Sequence, residues 1–213
     1  MSALPGSSVI STSARAAAVL GLLLACGCQA PASAPAASAA PSRPRVAADL
    51  PISRAPFHDV SVNWKQRLDQ PYVFLEGRGS YTGIGDLLEQ VNALMAEQGV
   101  APAGPPFALY YDDPGVVPIP GLRMRACFPV VGAPQVAGPL TYSVLPSTTV
   151  VYAFVGGPYP EVPRAYPGLY EFMRKLNWVE DGPIRETYLV NPALVDDFEQ
   201  LVCEVQIPAA SAP

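Results

Sequence analysis

One short segment combines residue types that could do chemistry. Gly182-Pro183-Ile184-Arg185-Glu186-Thr187-Tyr188-Leu189-Val190-Asn191-Pro192 reads as a turn, a strand and a second turn. Strand side chains alternate, so Glu186 and Tyr188 point to one side. A carboxylate among aromatic rings is poorly solvated and is stabilised by an incoming cation, to which each ring face adds roughly 0.5–2 kcal/mol. Such a site selects flat, apolar, positively charged molecules. The same spacing also fits a solvated carboxylate on an exposed strand, paired with Arg185 or another surface base. From spacing alone both readings stand.

The elements that would position this segment come from a duplication. Gly104-Pro105-Pro106-Phe107-Ala108-Leu109-Tyr110-Tyr111-Asp112-Asp113-Pro114 matches it at a constant offset of 78, which aligns Gly104 with Gly182, Tyr110 with Tyr188 and Pro114 with Pro192. Ala108 stands where Glu186 stands. The offset also pairs Val73 with Val151, Gly79 with Gly157, Tyr81 with Tyr159 and Met95 with Met173. Each copy opens with a β-branched and aromatic strand, in which Val73, Leu75, Val151 and Ala153 share a core face. Phe74, Glu76, Tyr152 and Phe154 share the other face, aromatic with an acid. A helix follows, striped by Ile84, Leu87, Leu88, Val91, Leu94 and Met95 in the first copy. Val162, Tyr166, Leu169, Phe172, Met173 and Leu176 make the stripe of the second copy, whose regular helix is expected to begin near Pro167 or Gly168. Gly99 and Asn177 suit the left-handed residue that ends each helix. After the Gly-Pro strands come further strands at 122–130 and 198–207, and an added strand near 60–64 pairs at an edge.

The expected fold is therefore α+β: duplicated βαββ units forming a joined antiparallel sheet, with two helices on one face and a ligand groove on the other. The Pro-rich connections 114–121 and 129–146 would lie around the rim. Glu186, Tyr188, Tyr110, Tyr152, Phe154, Phe74 and Glu76 are then the candidate ligand-binding residues.

Gly182-Pro183-Ile184-Arg185-Glu186-Thr187-Tyr188-Leu189, with Gly156-Gly157-Pro158-Tyr159 and Val205-Gln206-Ile207-Pro208, resembles the GyrI-like or AraC-type effector-binding domain of the SOUL-like superfamily. The resemblance covers roughly residues 71–208. It implies that the Glu of the Arg-Glu-x-Tyr strand, here Glu186, lies in the groove and contacts ligands, often lipophilic cations bound by multidrug-sensing regulators. This sequence has Phe154 where many members have a His, and no helix-turn-helix module precedes the domain. Some members resemble hydrolases that open strained electrophilic rings. On that alternative Glu186 would activate water, Glu76 would act as an acid, and Tyr110 or Tyr188 would donate a hydrogen bond.

The rest of the chain sets the setting. Its 213 residues are half hydrophobic, with net charge −5, enough for one core in one domain. No Lys/Arg cluster offers a footprint for nucleic acid. Residues 1–28 read as a bacterial signal peptide: Arg15, then an apolar run ending Leu23-Leu24-Ala25-Cys26. The last four resemble a lipobox, with lipidation at Cys26 anchoring the protein to the membrane from the periplasm. Lipidation at Cys28, cleavage elsewhere or an uncleaved anchor are the alternatives. Residues 29–56, rich in Ala, Pro and Ser, read as a disordered tether; residues 57–208 form the domain, and residues 209–213 a disordered tail. No cofactor is expected. His58 lies outside the duplicated units and does not fit a haem ligand, and Cys127 and Cys203 lack zinc spacing. Aligning the repeats places these two Cys on different sides of their strands, which favours a buried thiol at Cys203 over a disulfide.

Overall fold

A computed structural model of the chain describes residues 46–213. The leader, Cys26 and residues 29–45 of the expected tether lie outside the described residues. The elements run β1 (Ser53–Arg54), β2 (Asn63–Arg67), β3 (Gln70–Arg78), α1 (Ile84–Glu97), β4 (Phe107–Tyr110), β5 (Arg123–Pro129), β6 (Thr141–Leu145) and β7 (Thr148–Gly156). They continue with α2 (Tyr166–Lys175), β8 (Trp178–Glu180), β9 (Ile184–Tyr188) and β10 (Val202–Ser211). The described residues form one sheet of ten strands, ordered β1-β7-β10-β9-β4-β5-β3-β6, with β2 on β7 and β8 on β10. All pairings are antiparallel except that of β1 with β7.

The expected duplication is present as β3-α1-β4-β5 and β7-α2-β9-β10, and the two units join through β4 and β9. It also reaches one strand further back. Adding 78 to Asn63–Arg67 gives the numbers of Thr141–Leu145, so β2 and β6 are counterparts. Each pairs in the other copy, β2 with β7 and β6 with β3. Two-residue joints, Leu68-Asp69 and Pro146-Ser147, connect these strands to their own copies. The joints meet: the Ser147 amide donates to Asp69 Oδ1 at 2.6 Å, and the Arg67 guanidinium donates to the Pro146 carbonyl at 2.9 Å. Drawing the two margins together curls the sheet into a half-barrel.

Both helices pack on its outer face. The α1 stripe meets Val73, Leu75, Ala126 and Phe128, and the α2 stripe meets Val151, Ala153, Val205 and Ile207. On the inner face Tyr72, Phe107 and Leu109 are fully buried by one another and by neighbouring strands, without a helix over them. The helices end as expected, Gly99 at φ +68° and Asn177 at φ +54°. A 3₁₀ turn, Tyr159–Ala165, accommodates Pro163 ahead of α2, so the regular helix begins at Tyr166. Gly168 lets the α2 backbone sit on Val60, since a Cβ there would stand 2.8 Å from the Val60 Cβ.

Two expectations at the ends of the domain fail. Residues 46–56 belong to the fold: Val46, Ala48, Leu50 and Ile52 pack against Tyr152 and Phe154, and β1 adds to β7. Val46, Ala48, Leu50 and Ile52 alternate with Ala47, Asp49 and Pro51, a two-residue period that gives one side a surface to bury. Residues 209–211 complete β10 by pairing with β8 through backbone bonds, which their small side chains did not signal.

Candidate ligand-binding site

Register decides which candidates can meet. Glu186 is opposite Ala108 on one side and Val205 on the other, and the row continues to Ala126 and Leu75 and to Ala153. This whole row faces the helices. The Glu186 site is thus on the helix face, between α1 and α2, and not on the opposite face as expected. Phe74, Glu76, Tyr152 and Phe154 have the other parity and point to the inner face, together with Arg185 and Thr187. Of the seven candidates, Glu186, Tyr188 and Tyr110 come together and the other four do not join them. Glu76 and Glu186 therefore cannot act as a catalytic pair, because the sheet separates them.

A cavity of about 1070 Å³ opens between the helices, with Glu186 at its base. Glu186 is 3 % exposed. The Tyr166 hydroxyl, from the first turn of α2, donates to its Oε1 at 2.6 Å, and the Tyr188 hydroxyl donates to its Oε2 at 3.0 Å. The Tyr110 and Tyr188 hydroxyls are 2.9 Å apart. With the Tyr188 proton directed to Glu186, Tyr110 is the donor in that pair, and a relay runs from Tyr110 through Tyr188 to the carboxylate. Burial pushes the Glu186 carboxyl up to about 7, against the hydrogen bonds from Tyr166 and Tyr188 that lower it. Burial, and then the Glu186 charge, raise the hydroxyls of Tyr110, Tyr166 and Tyr188 well above the ordinary phenol range, so all three stay protonated as donors.

The duplication reappears in the walls. Tyr81 lies with its ring centroid 4.6 Å from that of Tyr110, and its counterpart Tyr159 lies 4.7 Å from Tyr188. The Tyr81 hydroxyl donates to the Asp112 carbonyl at 2.8 Å and accepts from the Asp112 amide at 3.1 Å. Tyr159 does the same with Val190, at 2.5 and 3.2 Å. Each ring is locked to the strand end beside the cavity, giving rigid aromatic walls. Among the described residues no Lys, Arg or His lines the cavity, whereas Glu89, Asp112, Asp113, Glu180 and Glu186 do. Asp112 is neutralised by Arg123 at 2.8 Å, and Glu180 accepts from the Tyr170 hydroxyl at 2.5 Å.

Tyr166, Tyr81 and Tyr159 are site residues that sequence reasoning missed. Tyr166 reads as one more apolar position on a helix stripe. The match of Tyr81 with Tyr159 was visible, but their neighbours in space were not. Cys127 and Cys203 are free, buried thiols on opposite faces, as the repeat alignment implied.

An aromatic cavity with a buried acid, on a duplicated βαββ half-barrel, defines a small-molecule-binding class. The chain matches the GyrI-like small molecule binding domain over residues 61–210 and belongs to that family. No curated protein matches it in sequence. Among solved structures, the EcmrR C-terminal domain is similar at TM-score 0.65 and 17 % identity, with 72 % of this chain and 99 % of that one covered. Against EcmrR in its DNA complex the match spans 57 % of the EcmrR chain and 71 % of this one, at TM-score 0.64 and 17 % identity. SAV2435 bound to tetraphenylphosphonium is similar at TM-score 0.51 and 12 % identity, covering 70 % of this chain and 93 % of that one. A hydrolase encoded by lin2189 from Listeria innocua is similar at TM-score 0.50 and 11 % identity, covering 70 % and 91 %. At these identities the likeness is one of fold.

Proposed function

We propose that this chain is an exported binding protein that holds a lipophilic cation between α1 and α2, with Glu186 as counter-charge. The observation that carries the reading is a buried carboxylate held by two Tyr hydroxyls in a cavity that no basic side chain lines among the described residues. A cation entering there relieves the unfavourable burial of a lone negative charge and gains the ring faces of the wall. The tetraphenylphosphonium held by SAV2435, a protein of like fold, supports the same ligand class. Thermal shift with tetraphenylphosphonium tests it: at a hundred times its dissociation constant it should stabilise the fold by about 2.7 kcal/mol. Absence of any shift, or an equal shift in Glu186→Gln, would refute it.

Hydrolysis is a second reading, supported by a carboxyl at about 7 beside hydroxyl donors, a value suited to proton transfer near neutral pH. It needs turnover of an epoxide or similar electrophile that Glu186→Gln abolishes. Export and lipid anchoring through Cys26 rest on the leader sequence. Incorporation of a tagged fatty acid, lost in Cys26→Ala, tests them.

A further inference from the structure

On the inner face of the curl, away from the cation cavity, the structure assigns a site for a small oxyanion, a phosphate or carboxylate group, to Arg185, Arg67 and Thr187. Arg185 on β9 is 6 % exposed and Arg67 on β2 is 9 % exposed. The Arg185 guanidinium lies over the Phe107 ring, 4.0 Å from its centroid. It takes part in none of the ion pairs among the described residues. The carboxylates at this face are engaged elsewhere, Asp49 among them, which accepts from the Tyr152 hydroxyl at 2.9 Å. Glu204 is held by Lys65 at 2.6 Å and by Gln206 at 2.9 Å, and Glu76 by Arg125 at 3.5 Å. Burial lowers Arg185 to about 10, repulsion from Arg67 adds to that, and Glu204 offsets only part.

The hydrogen bonding points to the same place. Among the described residues the buried side-chain atoms without a partner are Arg67 Nε, Arg125 Nε, Arg185 Nε, Thr187 Oγ1 and Gln206 Oε1. By register all of them belong to the inner face, where Gln206 flanks Arg185 and Thr187 lies opposite Phe107. Folded interiors leave few polar atoms unpaired, and a removed partner leaves each one costing about 1–3 kcal/mol. Buried cations repelling each other add a desolvation cost that a bound anion cancels. A planar guanidinium offers two parallel donors that match the oxygens of a phosphate or carboxylate, and the Thr187 hydroxyl supplies another. Gln206 Oε1, an acceptor, would take the proton of a hydrogen phosphate.

The test compares the melting temperature of the full chain in sodium phosphate and in sodium acetate against sodium chloride, at pH 7 and fixed ionic strength. A saturable rise with phosphate, acetate or both is expected, and the effective anion identifies the head group. Arg185→Met and Arg67→Met should each weaken the effect at least tenfold. Glu186→Gln should retain it, which separates this site from the cation cavity. Should Arg185→Met not fold, Arg67→Met and calorimetric titration of phosphate into Arg185→Lys carry the test, with weaker binding expected in both. If neither anion acts saturably beyond chloride on the wild type, or if the effect persists at full strength in the Arg67 and Arg185 variants, the site does not exist.

Discussion

Glu186 and Ala108 face each other across the β4–β9 ladder, and they are also counterparts in the duplication. The pseudo-twofold axis of the domain passes between them. Residues directly opposite in such a ladder have Cβ atoms about 4.5–5.5 Å apart, so two carboxylates here would share one buried space. The protein has one acid at its axis and a methyl group beside it. The site is asymmetric at the one place where symmetry would have put like charges together.

The first consequence concerns stability and pH. Glu186 has an ordinary value of 4.5 and a folded value of about 7, so between these the native state binds more protons than the unfolded chain. Stability then falls as pH rises through that window, by on the order of 3 kcal/mol in all. Urea denaturation at constant ionic strength should show a more stable protein at pH 5 than at pH 8. Glu186→Gln should flatten the difference.

Cation binding should run the other way. A ligand that needs the charged carboxylate binds roughly five- to tenfold more weakly at pH 6 than at pH 8, because the proton competes for Glu186. Binding of tetraphenylphosphonium below pH 7 should release a proton, visible as a buffer-dependent heat in calorimetry. A pH-independent affinity would show that Glu186 is not the counter-charge.

Tyr166→Phe removes the shortest hydrogen bond to Glu186. At pH 8 it should cost about 1.5–3 kcal/mol, the range for bonds to charged groups, with a smaller loss at pH 5 where the acid is neutral. Tyr110→Phe, which reaches the carboxylate only through Tyr188, should cost less at both pH values. Denaturant midpoints of the two variants check the order.

Ala108→Glu restores the symmetry. At neutral pH a second buried carboxylate beside the first should destabilise the fold by about 3–5 kcal/mol, and the pair should titrate as a coupled unit sharing one proton. A melting temperature at pH 8 equal to that of wild type would contradict the geometry of the axis.

Gly168→Ala tests how α2 is seated. Its new Cβ would stand 2.8 Å from the Cβ of Val60, an atom fixed to the backbone. The helix must shift, at about 1–3 kcal/mol. The same shift would move Tyr166 away from Glu186, so the pH dependence of stability should change along with the midpoint.

Much of the scaffold was legible because it rests on local chemistry and repetition. The apolar stripes of α1 and α2, the left-handed Gly99 and Asn177, and the offset of 78 are all carried by residue type and spacing. Strand faces were legible only within each strand. Alternation groups Phe74 with Glu76, and Glu186 with Tyr188, but only the inter-strand register says that these groups lie on opposite sides of the sheet. Arg185 illustrates the same limit: next to Glu186 in sequence it reads as a surface base, and in the fold it is buried on the other face. β6 carries the strand formers Thr141, Tyr142 and Val144, but it is only five residues long and lies inside the Pro-rich connection 129–146, and its counterpart in the duplication, β2, lies upstream of β3.

The exchanged strands β2 and β6 amount to a domain swap carried out within one chain. Each half lends its leading strand to the other and is left with an unpaired edge if the other melts. The two halves should therefore lose structure together in one cooperative transition, despite a duplication that would otherwise suggest two separable units. A half cut out alone could complete its sheet only by taking the missing strand from a second copy of itself.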